Sequence, residues 1–431
     1  MENLKYSTDL ELEGKYDVIV AGAGPAGICA AVAAARQGAR VALLERYGVV
    51  GGNLTAGYVG PVLGMVSKGT MRDEIVEILG IPENDMLGYT GKAHDFEKAK
   101  LALAEFVNHE NIDVYLQTSV FDVLKDGDRV TGVVLATNQG KLALEGKVVI
   151  DCTGDGIVAA VAGCDVRKGR EDGLMQPVTL EFTIDGIDES KGVTCIGDVD
   201  DVQLNGEPFL AFCKRRADAG RIPANLAAVR LHPTVEKGQR QVNTTQVNKC
   251  DVTKVKEIFP ADLELRRQIE ILMGFFKEEL PGYENVRVMR SGTTTGVRET
   301  RRVMGDYILT AEDLVSGKQF EDAVVHEAEF IVDIHNPDGA GQAEDKIAYV
   351  IPYDIPYRAM LPKGVEGLIT AGRCISGTHR AHASYRVMSI CMAMGEAAGI
   401  AAALAVKADV TPRQLPASEV RKALKEKGVE L

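Results

Sequence analysis

The feature that most constrains this chain is its opening stretch "YDVIVAGAGPAGICAAVAAARQGARVALLER", residues 16–46. Residues 16–20 read as a buried strand, and Gly22, Gly24 and Gly27 form G-x-G-x-x-G. The alanine-rich run after the glycines reads as a helix. Residues 40–44 read as a second strand ending at the acid Glu45, eighteen residues beyond the last glycine. Strand, glycine turn, helix, strand and an acid at about 20 residues together describe a parallel βαβ unit that binds a dinucleotide. Gly22 permits the tight turn, Gly24 lets backbone approach a pyrophosphate, and Gly27 lets the helix pack on the sheet. The helix N-terminus offers free N–H groups and partial positive charge to the anion. Glu45 would accept from a ribose hydroxyl, and an acid there disfavours a 2′-phosphate.

At 431 residues the chain exceeds the ~250–300 residues at which one core stops growing, so two lobes are expected. Its 45% hydrophobic and 26% charged residues are ordinary globular usage, with disorder expected only in the first dozen residues. The net charge of -13 argues against a general nucleic-acid surface, which needs clustered cations. No uninterrupted apolar stretch reaches the ~18–20 residues of a membrane span. The start, "MENLKYSTDLELEGK", lacks the parts of a secretory signal, so the cytoplasm is the expected compartment. The eight cysteines form no C-x-x-C pair. Neither a metal nor a catalytic dithiol is signalled, and the thiols read as small buried hydrophobes.

The segment after the βαβ unit separates nicotinamide from flavin. In "ERYGVVGGNLTAG", Gly51 and Gly52 come six and seven residues after Glu45. An NAD dehydrogenase would normally run straight into its next helix. A glycine loop suits backbone laid along an extended ribityl-pyrophosphate chain. Asn53 and Thr55 either add polar contacts or only turn the loop. Four strand-like runs come next, at residues 113–118, 129–137, 141–145 and 147–151, two of them joined by the hairpin signal "NQG". The last run leaves through "DCTGDG", where Thr153, Gly154 and Asp155 make a glycine turn.

This pattern resembles the glutathione-reductase-type flavoprotein superfamily, in which a three-stranded meander precedes a T-G-D or A-T-G segment. More narrowly, it resembles the FAD-dependent oxidoreductase family. Members of that family carry "GGNLT", "DCTGDG", "GVRETRR", "DIHNPDG", "IPYRAMLPKGVEGL" and "AGRCIS" in order, and all six stand here, over roughly residues 14–410. The resemblance implies an α/β fold with a Rossmann-like FAD-binding domain, built on a parallel sheet and a β-meander. That domain would come in two parts, 1–165 and 349–431, around an inserted α+β substrate or cap domain at 166–348. The resemblance also implies FAD contacts from Gly22, Ala23, Gly24, Pro25, Ala26, Gly27, Glu45, Arg46, Gly51 and Gly52. Val120 would set backbone against adenine, and Thr153, Gly154 and Asp155 would lie beside the pyrophosphate. The histidine that carries covalent flavin in succinate-dehydrogenase-type proteins has no counterpart in residues 46–70, so noncovalent FAD is expected.

In the middle of the chain "PVTLEFTIDGI" alternates like a strand. "ADLELRRQIEILMGFFKEEL" has Leu263, Leu265, Ile269, Ile271, Leu272 and Phe275 at helical spacing and reads as an amphipathic core helix. No second G-x-G-x-x-G occurs, so an inserted NAD domain is not expected. "TTTGVRETRR" holds Arg298, Arg301 and Arg302. Arg298 either stabilises an anionic flavin or substrate carboxylate, or pairs with Glu299 or Asp306. For Arg301 and Arg302 the salt-bridge reading leads. "FIVDIHNPDGAG" offers Asp333, His335 and Asn336 where a strand turns out at Asn-Pro, with His335 either a proton-exchanging group near neutral pH or a hydrogen-bonded turn residue.

Near the C-terminus "AGRCISGTHRAHASYRVM", residues 371–388, concentrates cations. In the resembled superfamily this part returns to the FAD domain and passes under the flavin. Gly372, Arg373 and Cys374 would then meet the ribityl-pyrophosphate. Val387 and Met388 would open a helix of small residues whose first N–H groups face the flavin's pyrimidine ring. A helix N-terminus with a nearby arginine stabilises charge that develops on reduced flavin. His382 and Arg386 are loosely similar to the H-G-A-N-R arrangement of fumarate-reductase flavoproteins. The narrower family's T-H-x-A-x-x-S-x-R-V-M pattern is satisfied from Thr378 to Met388, and it favours His379 and Arg386 over His382 and Arg380.

The expected activity is that of an FAD-dependent oxidoreductase moving a hydride between flavin N5 and a small polar or anionic metabolite between the lobes. Arg298, His335, His379 and Arg386 would orient substrate, exchange protons or balance charge. The alternatives are an enoate reductase and a flavin-containing redox subunit or structural FAD binder without its own small substrate. The expected partners are that substrate, an electron donor or acceptor the sequence does not identify, no nucleic acid, and a second copy in a homo-oligomer.

Overall fold

The apolar run at residues 18–21 lies at the centre of a sheet, where burial on both faces requires it. The computed structural model describes residues 7–81, 92–196, 202–344 and 348–431. Residues 1–6, within the stretch expected to be disordered, lie outside them. The first lobe opens with β1 (Glu11–Ala21), α1 (Pro25–Arg36), β2 (Val41–Leu44), α2 (Met71–Ile78), α3 (Phe96–Val107) and β3 (Ile112–Tyr115). It continues with β4 (Ser119–Asp126), β5 (Arg129–Thr137), β6 (Gly140–Asp151), α4 (Ile157–Val161) and β7 (Val166–Lys168).

The sheet runs β3-β2-β1-β6-β5-β4, with β1, β2, β3 and β6 parallel and β4–β5–β6 an antiparallel meander. Three sequence expectations change here. The run at 113–118 is not a meander strand: as β3 it ends the parallel side, paired Val41 to Ile112. The true first meander strand, β4, contains Val120 and is half exposed, so it lacks a clean apolar alternation. The runs at 141–145 and 147–151 are one strand, because β6 changes partner along its length. Its first half pairs with β5, its last residues pair with β17, and β1 runs alongside throughout.

The second lobe holds β8 (Phe182–Asp185), β9 (Gln203–Leu204), β10 (Glu207–Pro208), α5 (Phe209–Asp218), β11 (Leu231–Pro233), β12 (Gln239–Val242), α6 (Val255–Glu279) and β13 (Arg287–Ser291). An antiparallel sheet, β11-β12-β8-β13, is backed by a core running from Val178 to Val286. Helix α6 turns Leu265, Ile269, Leu272 and Phe275 inward, as its spacing predicts. Leu263 and Ile271 lie off that face and are 37% and 39% exposed.

The chain then returns through β14 (Arg301–Val303), α7 (Ala311–Val315), β15 (Ala323–Ala328), β16 (Tyr353–Pro356), β17 (Leu368–Thr370), α8 (His379–Tyr385), α9 (Met388–Ala408) and α10 (Ala417–Lys427). Val303, Leu309, Leu314 and Val325 already belong to the first lobe's cores, so by packing the return begins well before residue 349. Helix α9 is long and apolar enough to cross a membrane, but here it is buried along nearly its whole length. Its glycines press on α1 backbone. A Cβ at Gly395 would sit 2.0 Å from the Ala26 carbonyl oxygen, and one at Gly399 would sit 2.2 Å from that of Ala30.

A Gly399→Val substitution must push these helices apart. It is expected to lower stability by about 3 kcal/mol, the upper part of the usual overpacking range. Denaturant unfolding measures this, and an unchanged midpoint would mean that the helices can part at no cost.

Candidate functional site

The turn between β1 and α1 opens onto a groove. Gly22 is left-handed at φ +94 and sits against Cys152 and Thr153 backbone, so no side chain fits there. Gly24 caps α1 in extended conformation with no side-chain cap, and a Cβ there would meet nothing within 4 Å. The first N–H groups of α1 therefore face open space. Gly27 lies one turn in, where a Cβ would strike the Gly22 carbonyl. The Glu45 carboxylate is buried and accepts from Ala23 N at 2.8 Å and Tyr47 N at 3.0 Å, which locks the turn to the end of β2. Burial pushes its pKa up, against those two amides.

Gly22, Gly24, Pro25, Ala26, Glu45, Arg46, Gly52 and Asn53 line this groove with Val120, Thr153 and Gly154. From the far end of the chain Gly372, Arg373, Arg386 and Met388 line it too. The two chain ends therefore share one groove. Other residues expected at the cofactor turn away from it. Ala23 gives its N–H to Glu45, and Gly51, at φ +103, bonds the Ala23 carbonyl through its own N–H. The Thr55 hydroxyl donates to the Val50 carbonyl and is fully buried. Asp155 takes Thr300, Arg46 and Arg373. The Cys374 thiol is buried against the Asp151 carbonyl. Val387 faces the neighbouring cavity instead.

That cavity, of about 400 Å³, lies between the lobes and shares Asn53, Val297, Arg373, Arg386 and Met388 with the groove. Its walls carry Arg230, Arg298, His232 and His335 beside the acids Glu181, Glu329 and Asp333. Arg298 pairs with neither Glu299 nor Asp306. It donates to the Pro177 carbonyl at 2.9 Å and to Asn243 Oδ1 at 3.1 Å. Burial and the nearby Arg386 pull its pKa down to about 9. Arg386 donates to the Asp333 carbonyl at 3.1 Å and carboxylate at 2.8 Å, while its Nε is buried without a partner. His335 Nε2 lies 3.3 Å from Asp333 Oδ2. Burial, helped by Arg298, pushes its pKa down to about 3. The imidazole is neutral near pH 7, so the expected proton exchange in that range falls away. Burial opposes the Asp333 charge, but His335, Arg386 and Gln342 hold its pKa well below the usual range.

His379 does not reach the cavity. Its Nδ1 lies 2.9 Å from Glu299, which also takes Arg302 and the Gln176 N–H. This buried cluster ties the "GVRETRR" segment to the start of α8. His382 is buried edge-on to Tyr385 and lines neither space, and Arg380 pairs at the surface with Glu344. Sequence reasoning missed Glu181, Arg230 and His232. The signal for Glu181 was an acid inside the apolar alternation "PVTLEFTI". Among the described residues no cluster of three or more His, Cys, Asp or Glu is arranged to hold a metal ion.

A family model described as FAD dependent oxidoreductase matches residues 17–424. The thiamine thiazole synthase of Pyrococcus horikoshii is 30% identical over 181 residues, covering 38% of this chain and 66% of that protein. A soluble pyridine nucleotide transhydrogenase of a Marinomonas species is 31% identical over 152 residues, covering 32% of this chain and 30% of that protein. The match spans less than two thirds of either relative's length. Among solved structures, a p-nitrophenol 4-monooxygenase from Pseudomonas putida is 13% identical with a TM-score of 0.49, covering 96% of this chain and 87% of that one.

FAD suits the groove on the structure's own terms. The uncapped start of α1 meets an open glycine, and Gly154 is a cradle where a Cβ would strike the Arg373 guanidinium. The uncapped start of α9 lies beside it. Because the Gly24 Cβ position is empty, Gly24→Glu is expected to fold normally and lose FAD affinity by at least about 100-fold, or ~2.7 kcal/mol. Flavin absorbance after gel filtration measures the loss. A folded variant that stays yellow would place the phosphates elsewhere.

Proposed function

This chain belongs to the FAD dependent oxidoreductase family, and from that we propose that it moves a hydride between the flavin and a small anionic metabolite held between the lobes. When bound, FAD supplies the two-electron chemistry, taking or giving a hydride at N5. The rest falls to the chain. Arg298 and Arg386 line the cavity, and neither is fully matched by an acid: Arg298 has only neutral acceptors and Arg386 keeps an unpartnered Nε. That unmatched charge in a low-dielectric cavity is the observation that carries the reading, since it is relieved by a carboxylate. Arg373, fixed by the Val297 carbonyl and Asp155, lines both spaces and serves charge in either. His335 supplies a neutral hydrogen bond rather than a proton.

The enoate-reductase alternative loses its motif, because His382 does not accompany Arg386 into the cavity. The proposed compartment is the cytoplasm, in keeping with eight free cysteines.

Anaerobic mixing of the yellow protein with 2-hydroxy acids, amino acids and dicarboxylates is expected to bleach the flavin for at least one of them. Arg386→Met should then raise KM roughly 10- to 150-fold, the worth of one charged hydrogen bond. Bleaching only by uncharged polyols or amines, untouched by Arg386→Met, would remove the anionic substrate.

A further inference from the structure

We propose that Glu181 is the carboxyl group that exchanges a proton with substrate in the inter-lobe cavity, a role that rests on reading this cavity as the substrate site. Glu181 enters from the strand run leading into β8, and its side chain is 3% exposed on the cavity wall. Among the described residues no lysine, arginine or histidine comes within ion-pair distance of it. A buried carboxylate with no ion-pair partner is costly, and here the one cation that favours the ionised form is the more distant Arg298. Arg386 is turned to Asp333, and Arg298 to Pro177 and Asn243.

Glu181 takes the backbone N–H of Gly60 and the side chain of Gln241, whose Nε2 donates to Oε2 at 3.1 Å. That amide cannot turn round. Its Oε1 accepts from Thr183 at 2.7 Å, and its Nε2 also donates to the Tyr58 carbonyl at 2.6 Å. Gln241 therefore always offers Glu181 an N–H, which favours the ionised form, while burial favours the neutral one. The balance leaves the carboxyl pushed up to about 7, with burial the larger cause, so both forms are accessible near neutrality.

The step balances simply. In the oxidation of a hydroxy acid, the substrate O–H bond breaks and its proton bonds to a Glu181 oxygen. The carbon-bound hydrogen leaves with its electron pair to FAD, giving a carbonyl, the two-electron-reduced cofactor and neutral Glu181. The reverse direction returns both.

Several charged groups share the cavity and bear on any pH dependence. Arg230, Arg373 and Arg386 are cations there, and Glu329 and Asp333 are acids. Arg298 keeps its charge below about 9 and His335 stays neutral above about 3. His232 is the remaining imidazole on the cavity wall.

The test uses the flavin-loaded full chain and oxalate as an anion probe, with binding measured by calorimetry. A bound anion favours neutral Glu181 and raises its pKa. The affinity gain is complete below about pH 7 and is lost by about tenfold per unit as pH rises beyond it. Glu181→Gln should abolish that slope while keeping the flavin spectrum, and His232→Gln should leave it. A slope that survives Glu181→Gln and disappears with His232→Gln overturns the proposal but spares the anion site. Oxalate binding that is absent, or indifferent to Arg386→Met, counts against the anion site itself. Infrared difference spectra then decide Glu181 independently. A protonated-carboxyl band present at about pH 6, gone by about pH 8.5 and missing from Glu181→Gln supports the role, and its absence from the wild type overturns it.

Discussion

The backbone contact between α1 and α9 organises everything else in the molecule. Side chains at Gly395 and Gly399 would enter the carbonyls of Ala26 and Ala30, so only glycine allows helices from opposite ends of the chain to lie this close. That approach brings two uncapped helix N-termini to one groove, and with them two sets of free N–H groups. A phosphate at one and an electron-rich ring at the other are what such termini favour. The groove is thus a consequence of helix packing before it is a consequence of any single contact residue.

Around the groove, few acids are set against the cations. Asp333 holds Arg386 and His335 together, while Glu299 does the same for Arg302 and His379 outside the cavity. The first cluster leaves guanidinium capacity facing the cavity and the second leaves none. Burial sets the protonation states: His335 is driven neutral, Arg298 is weakened as a cation, and Glu181 is brought within reach of both forms. The proposed anionic substrate and the proposed proton exchange at Glu181 both rest on this arrangement.

The glycine fingerprint and the parallel unit were legible in the sequence, because glycine spacing and apolar runs report directly on backbone geometry; the return of the C-terminal segment was legible only through the family resemblance. Features set by partner choice were not. Nothing in residues 141–151 marks where β6 exchanges β5 for β17, and β4 is too exposed on both faces to show a period of two. The same limit governs the site. The resembled family's pattern put His379 beside the cavity, but it sits at the first position of α8, where its ring turns to Glu299. Thr55 stands in the right loop, yet its hydroxyl closes onto Val50. Glu181 was hidden in the opposite way, as an acid just ahead of β8 in a run whose alternation drew attention only to its apolar members.

The position of α9 in the chain also matters during synthesis. The dinucleotide-binding turn leaves the ribosome long before α9, but its groove stays unfinished until the segment reaching Cys391 has emerged. In that interval the nascent first lobe presents the bare face of α1, and α9 then appears as a 21-residue apolar helix that must find it. Such long-range closure is slow and leaves sticky surface uncovered. The late position of this helix makes the nascent first lobe the stage of synthesis most exposed to aggregation.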